Sequence, residues 1–425
     1  MSQIFSTVEW AKGSNIYEVN IRQYTKEGTF AAFAKHLPRL KAMGVEILWL
    51  MPITPISEKI RQGKLGSYYA CSSYTSINPE FGSLKDFKDL VNASHAMGFK
   101  IIIDWVANHT GWDHQWTFEH PDWYLKDSNG VFTEINGWHD VIDLDFSKEP
   151  MRKALTKAMQ YWVKECDIDG YRCDMAHLVP LDFWINARKE CEETKPLFWL
   201  AECDVPEYHQ AFDASYAWDW MHHTEKHARQ EMSLHEIRNT LHKYSQYPNR
   251  AIKLFFTTNH DENSWNGTEL EKYGPLAKAW SVFSVTWKGL PLIYSGQEIP
   301  NKKRLAFFDK DEIDWNQPLE MESFYTQLLQ IRKTNKAISE GETFILPSNN
   351  DDALLAFMRK SADDCILVIL NLSTKGRIKI QINHGWLEGL FENVFSGFQF
   401  QFKPGEEFEL QAGEYIFYKK IKDKR

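Results

Sequence analysis

The chain has 425 residues, 43% apolar and 25% charged, the composition of an ordinary globular protein. Its 49 lysines and arginines against 58 aspartates and glutamates leave a net charge of −9, which argues against a nucleic-acid partner, because phosphate contacts need a cationic surplus. No apolar run approaches the roughly 18 residues needed to span a bilayer.

Taken in order, apolar runs alternate with amphipathic stretches. Strands are predicted at residues 16–20, 45–50, 99–105, 168–174, 197–202, 214–218, 254–259 and 292–295. Helices are predicted at 29–43, 84–97, 149–166, 181–193, 223–244, 275–287 and 323–335. Near-continuous apolar strands joined by crossover helices imply a parallel sheet covered on its outside. Eight such units predict an α/β fold, a (β/α)8 TIM barrel. No GxGxxG follows the first strand, so a dinucleotide fold has no support.

Two segments break the rhythm. Residues 109–145 form an insertion rich in Trp, Asp, Asn and His, longer than barrel loops usually are. After about residue 345 the pattern changes to short alternating strands, at 354–359, 365–372, 377–382, 399–402 and 415–419, punctuated as in an antiparallel β-sandwich. The expected domains are a barrel of residues 1–108 and 146–343, the insertion 109–145, and a sandwich of 344–425.

The six cysteines have no CxxC pair or regular spacing, so neither zinc nor a disulfide framework is indicated. The N-terminal residues lack a basic stretch followed by an apolar one, and the expectation is a cytoplasmic monomer or small homo-oligomer, although a processed secreted form would read the same. Aromatic residues are 14%, including 17 tryptophans, most of them expected in the core. Trp112, Trp116, Trp123 and Trp138 of the insertion are candidates for packing or for lining a ligand site. The acidic loop Asp309-Lys310-Asp311-Glu312 reads as a solvated surface turn rather than a second metal site.

Polar residues at the C-terminal ends of barrel strands are catalytic candidates. Strand three ends in Asp104-Trp105-Val106-Ala107-Asn108-His109, strand four in Arg172-Cys173-Asp174, strand five in Glu202, and strand seven in Asn259-His260-Asp261. A lone acid there would read as a helix cap. Four acids, two histidines and an arginine around one mouth destabilise the fold unless they are used. Glycoside hydrolysis needs such a set: a carboxylate nucleophile, a carboxylic acid with a raised pKa, and an arginine that keeps the nucleophile ionised.

These segments, DWVANH, GYRCDMAH, AE and NHD in that order, resemble the four signature regions of the alpha-amylase family of retaining glycoside hydrolases. Gly66-Ser67-Tyr68-Tyr69, Tyr74 and Asn78 to Gly82 support the resemblance, which covers the whole chain. By position it implies Asp174 as nucleophile, Glu202 as general acid/base and Asp261 as the third carboxylate, binding sugar hydroxyls. It implies Arg172, His109, His260 and a stacking Tyr68 as substrate contacts, His177 on the leaving-group side, and Asp104 as a support paired with Arg172. A structural Ca²⁺ held by Asn108 and Asp143 is an expectation of the same kind. Met175, His177 and Ser72-Ser73-Tyr74 depart from the usual pattern, and methionine at 175 does not decide between α-1,4 and α-1,6 bonds. The implied substrate is a malto-oligosaccharide or starch-like α-glucan. An α-glucosidase, a transglycosylase of the same family, and a non-catalytic carbohydrate-binding or partner protein remain alternatives.

Overall fold

The structure is a computed structural model and describes residues 5–421, apart from 301, 363 and 375. Eight parallel strands close into a barrel in the order one, eight, seven, six, five, four, three, two. They are Ile16–Val19, Ile47–Leu50, Lys100–Trp105, Gly170–Cys173, Phe198–Ala201, Ala214–Tyr216, Ile252–Phe255 and Leu290–Tyr294. Strands one, two, four, five, six and eight are buried at every position, as strands covered on both faces must be. Among the described residues no helix is long and apolar enough to cross a membrane.

Three predicted elements need correction. Strand seven starts and stops earlier than 254–259. Its ladder with strand eight ends at Phe255, opposite Pro291, which has no N–H to extend it. The helix predicted at 29–43 is two, Phe30–Ala34 and Leu37–Met43. Pro38 sits in the first turn of the second helix, where its missing N–H does no harm. The helix predicted at 223–244 is also two, Trp218–Ala228 and Leu234–Ser245. Gln230 takes a left-handed φ of 64° between them, and Ser233 restarts the helix through a capping box with Glu236.

The insertion after strand three is built on a short hairpin, His109–Gly111 paired with Val141–Asp143. It lies against the barrel mouth. At the other end of the chain, six antiparallel strands form one sheet and Ile378–Gln381 and Glu407–Leu410 a two-stranded ribbon. The sheet already begins at Glu342–Leu346, and Gly389–Asn393 is a further strand beyond those predicted. Alternation sorts its two faces. Leu355, Phe357, Val368 and Leu370 join the barrel's core, whereas Leu354, Ala356, Met358, Leu367 and Ile369 pack with Ile380 and Leu410 of the ribbon. Phe357 stands edge-on to Trp287 at 4.9 Å, and to Phe283 at 6.0 Å, seating the sheet on the barrel's outer helices.

Candidate active site

At the C-terminal mouth lies a cavity of about 260 Å³, whose lining includes Asp174, Glu202, Asp261, His109, Tyr69 and Trp138. Its floor is organised by Arg172. Residues two apart in a strand share a face, so Arg172 and Asp174 both turn inward from strand four. The guanidinium is fully buried and enclosed by the rings of Trp49, Tyr69 and Tyr216, 5.0–5.8 Å from its carbon. One of its nitrogens, Nη1, donates to Asp104 Oδ1 and to Asp174 Oδ1, each at 2.9 Å. Nη2 lies 2.8 Å from Glu202 Oε2, but off the line of a hydrogen bond. Asp104 is held further by Trp49 Nε1 at 3.3 Å and the Tyr69 hydroxyl at 3.1 Å.

Glu202 is steered by backbone. Met175, immediately after Asp174, takes a left-handed conformation (φ 39°), a strained choice for a non-glycine residue. It turns its N–H onto Glu202 Oε2 at 2.8 Å. Asp261 begins a π-helical turn, Glu262–Asn266, of the kind often found at functional sites. The His260 ring lies between acids: Nδ1 contacts Glu18 Oε1 at 2.5 Å, and Nε2 contacts Asp261 Oδ2 at 3.2 Å and the Tyr69 hydroxyl at 2.7 Å.

The electrostatics follow from burial and pairing. Burial raises Asp174, Glu202 and Asp261 above the usual carboxylate range. Arg172 opposes this at both Asp174, to which it donates directly, and Glu202, while the charge of Asp174 raises Glu202 further. Burial takes Asp104 up to about 7 against the pull of Arg172. The two histidines diverge. Burial pushes His109 down to about 4, keeping it neutral. Burial would do the same to His260, but Asp261 and Glu18 outweigh it and push it up to about 9.

Two expected contacts lie elsewhere. Tyr68 is not in the cavity lining. It is buried under the Arg22 guanidinium, 4.2 Å from its centroid, and its hydroxyl accepts from Asn20 Nδ2 at 3.2 Å. Its neighbour Tyr69 occupies the cavity instead, because consecutive residues in this turn face opposite ways. His177 is exposed outside the lining, and its backbone carbonyl accepts from the Tyr208 hydroxyl at 3.1 Å. Of the insertion's tryptophans only Trp138 reaches the cavity; Trp116 and Trp123 pack edge to face at 5.0 Å, and Trp112 packs against Phe132.

At the pair expected to hold calcium, Asn108 Nδ2 donates to Asp143 Oδ1, and the Ile135 N–H to Asp143 Oδ2, each at 3.0 Å. The loop 309–312 is not a merely solvated turn. Lys310 Nζ donates to the Thr25 carbonyl at 2.8 Å, and Asp309 Oδ1 accepts from the Lys64 N–H at 2.8 Å. The segment just before this loop carries Phe307 and Phe308, which with Trp265 wall one side of the cavity, Phe307 stacking on Tyr69 at 6.2 Å. Sequence reasoning missed this wall, since scattered aromatics in loops carry no periodicity.

Comparison with known proteins agrees with the fold. Residues 11–128 and 117–214 match the alpha amylase catalytic-domain model. Alpha-amylase MalA of Haloarcula japonica is 26% identical over 86% of this chain, which spans only 56% of that protein's length. The maltogenic alpha-amylase of Bacillus acidopullulyticus is 25% identical, over 91% of this chain and 70% of that protein. The crystal structure of a noncanonic maltogenic alpha-amylase, AmyB from Thermotoga neapolitana, superposes with a TM-score of 0.89 at 31% identity, covering 97% of this chain and all of that one. An alpha-amylase from Lactobacillus plantarum superposes with a TM-score of 0.87 at 27% identity, over 97% of this chain and all of that one. The barrel and its acidic mouth define a glycosidase-type enzyme fold, and the chain belongs to the alpha-amylase family.

Proposed function

We propose that the protein hydrolyses α-1,4 bonds of malto-oligosaccharides or starch-like α-glucans with retention of configuration. The observation that carries this reading is the single buried guanidinium of Arg172, hydrogen-bonded to Asp174 and set against Glu202 at the wall of one cavity. It favours different protonation states for the two acids, as double displacement requires. Glu202 protonates the glycosidic oxygen while Asp174 attacks the anomeric carbon, giving a glycosyl ester and a free leaving group. Glu202 then takes a proton from water, which attacks the same carbon and releases Asp174. Asp261 and His109 hold the hydroxyls of the sugar being cleaved, His260 stands behind Asp261, and Tyr69 supplies an aromatic face. Relatives named as amylases support an α-glucan substrate.

The test is chromatography of products from maltohexaose. Mixed shorter maltosaccharides are expected from the wild type. Asp174→Asn should fall below about one part in 10⁴, the scale of losing a covalent nucleophile, while keeping its fold. Only longer products would make the protein a transglycosylase, and no conversion in the wild type would overturn the reading.

A further inference from the structure

Glu18 is a charged residue in the middle of the buried strand Ile16–Val19, where it has no packing reason to be. It is 0% exposed, and Oε1 meets His260 Nδ1 at 2.5 Å while Oε2 has no partner. His260 is 1% exposed, and its other nitrogen faces Asp261 Oδ2. The Tyr69 hydroxyl donates its proton to Asp104 Oδ2 at 3.1 Å, so Nε2, 2.7 Å from that hydroxyl oxygen, donates to it; with Nδ1 donating to an ionised Glu18 the ring carries both protons and is cationic. Nothing in the catalytic scheme assigns Glu18 a role.

We propose that Glu18 is a positioning residue that holds His260 as an imidazolium and, through it, fixes Asp261 ionised and aimed at the sugar hydroxyls. The inference rests on the reading of Asp261 as a substrate-binding acid. The same network includes charged groups from several strands. Tyr69 reaches His260 Nε2 from the loop after strand two, and through its hydroxyl touches Asp104 of strand three. Arg172 and Asp174 of strand four and Glu202 of strand five complete the surroundings. Arg172 is a cation beside this network, and it repels the imidazolium. Two anions, Glu18 and Asp261, therefore hold one ring charged, and removing either shifts the ring toward neutral. A merely structural Glu18 would be replaced by its neutral isostere without changing the ring's charge, since glutamine's amide oxygen still accepts from Nδ1–H.

The test is a ¹⁵N NMR titration of the His260 ring, assigned by difference with His260→Asn, in the wild type and in Glu18→Gln. The wild-type ring should carry both protons at pH 7 and titrate near 9, where Asp261 and Glu18 together place it. In Glu18→Gln its midpoint should fall by at least about one unit, a tenfold change in acidity. With maltotriose, kcat/KM of Glu18→Gln should drop about twofold more at pH 8 than at pH 6 for a one-unit fall in the midpoint, and Glu18→Asp should restore the higher midpoint. An unchanged midpoint in Glu18→Gln, or a singly protonated ring in the wild type at pH 7, would overturn the proposal. If Glu18→Gln fails to fold, the wild-type titration still decides. Because the NMR readout needs no turnover, its failure is distinct from an inert enzyme on maltohexaose, which would instead defeat the proposed function.

Discussion

The two ends of the barrel bury arginine in opposite ways. At the C-terminal mouth Arg172 sits among carboxylates, which hold its guanidinium well above its ordinary range despite burial. At the N-terminal end Arg332 is equally buried but meets only carbonyls, donating to Ser14 O at 2.9 Å, Val285 O at 2.7 Å and Gly289 O. Arg359, at the seam with the C-terminal sheet, does the same with Ala337, Ile338 and Gly341. Burial pulls Arg332 and Arg359 down, Arg332 to about 9 and Arg359 to about 10. Backbone dipoles fix a geometry without placing negative charge where it repels. Carboxylates around a cation create groups whose protonation can be used. The bottom arginines stitch strand ends and the sheet together, whereas the top one sets up chemistry.

The contrast can be broken first at the mouth. Glu202→Gln should lower kcat about 100-fold or more, as loss of a general acid does. Because burial raises the Glu202 pKa, its proton is present below that value and lost as pH rises through it. Wild-type kcat should therefore fall on the alkaline side, and Glu202→Gln should lose that limb in a pH–rate profile. At the bottom, Arg332→Met should leave kcat per folded molecule unchanged but lower unfolding free energy by about 2–4 kcal/mol in urea titrations, because buried carbonyls lose a charged donor. A large loss of kcat there would erase the distinction between the two ends. Between these extremes, Trp265→Ala removes an aromatic 54% exposed at the cavity's edge and should raise KM for maltotriose about tenfold with little change in kcat. Smallest of all, EDTA should leave the thermal midpoint unchanged, since Asn108 and Asp143 are already satisfied by each other and by Ile135. A calcium-dependent rise would mean that this pair rearranges.

Much of this was legible beforehand because the governing patterns are local. Apolar strand runs identify the barrel, and the acids of strands three, four and five stand at or beside their strand ends. Asp261 is six residues past strand seven, so its place depends on a loop and a π-helical turn that no periodicity reveals. Tyr68 and Tyr69 are chemically identical neighbours, and only the burial of Tyr68 under Arg22 separates support from site. Glu18 did leave a signal, an acid inside an apolar strand, but its partner lies 242 residues away. The sheet strands at Glu342–Leu346 and Gly389–Asn393 escaped because their burial is shallow and mixed.

The central claim is that Asp174 forms a covalent bond to the sugar. The most direct measurement is to incubate the wild type with 5-fluoro-α-glucosyl fluoride, whose fluorine slows release of the glycosyl-enzyme, and to map the adduct by peptide mass spectrometry. A glycosyl ester on Asp174 is the predicted result. A label on a different acid, or rapid release of β-configured product with no adduct, would contradict it.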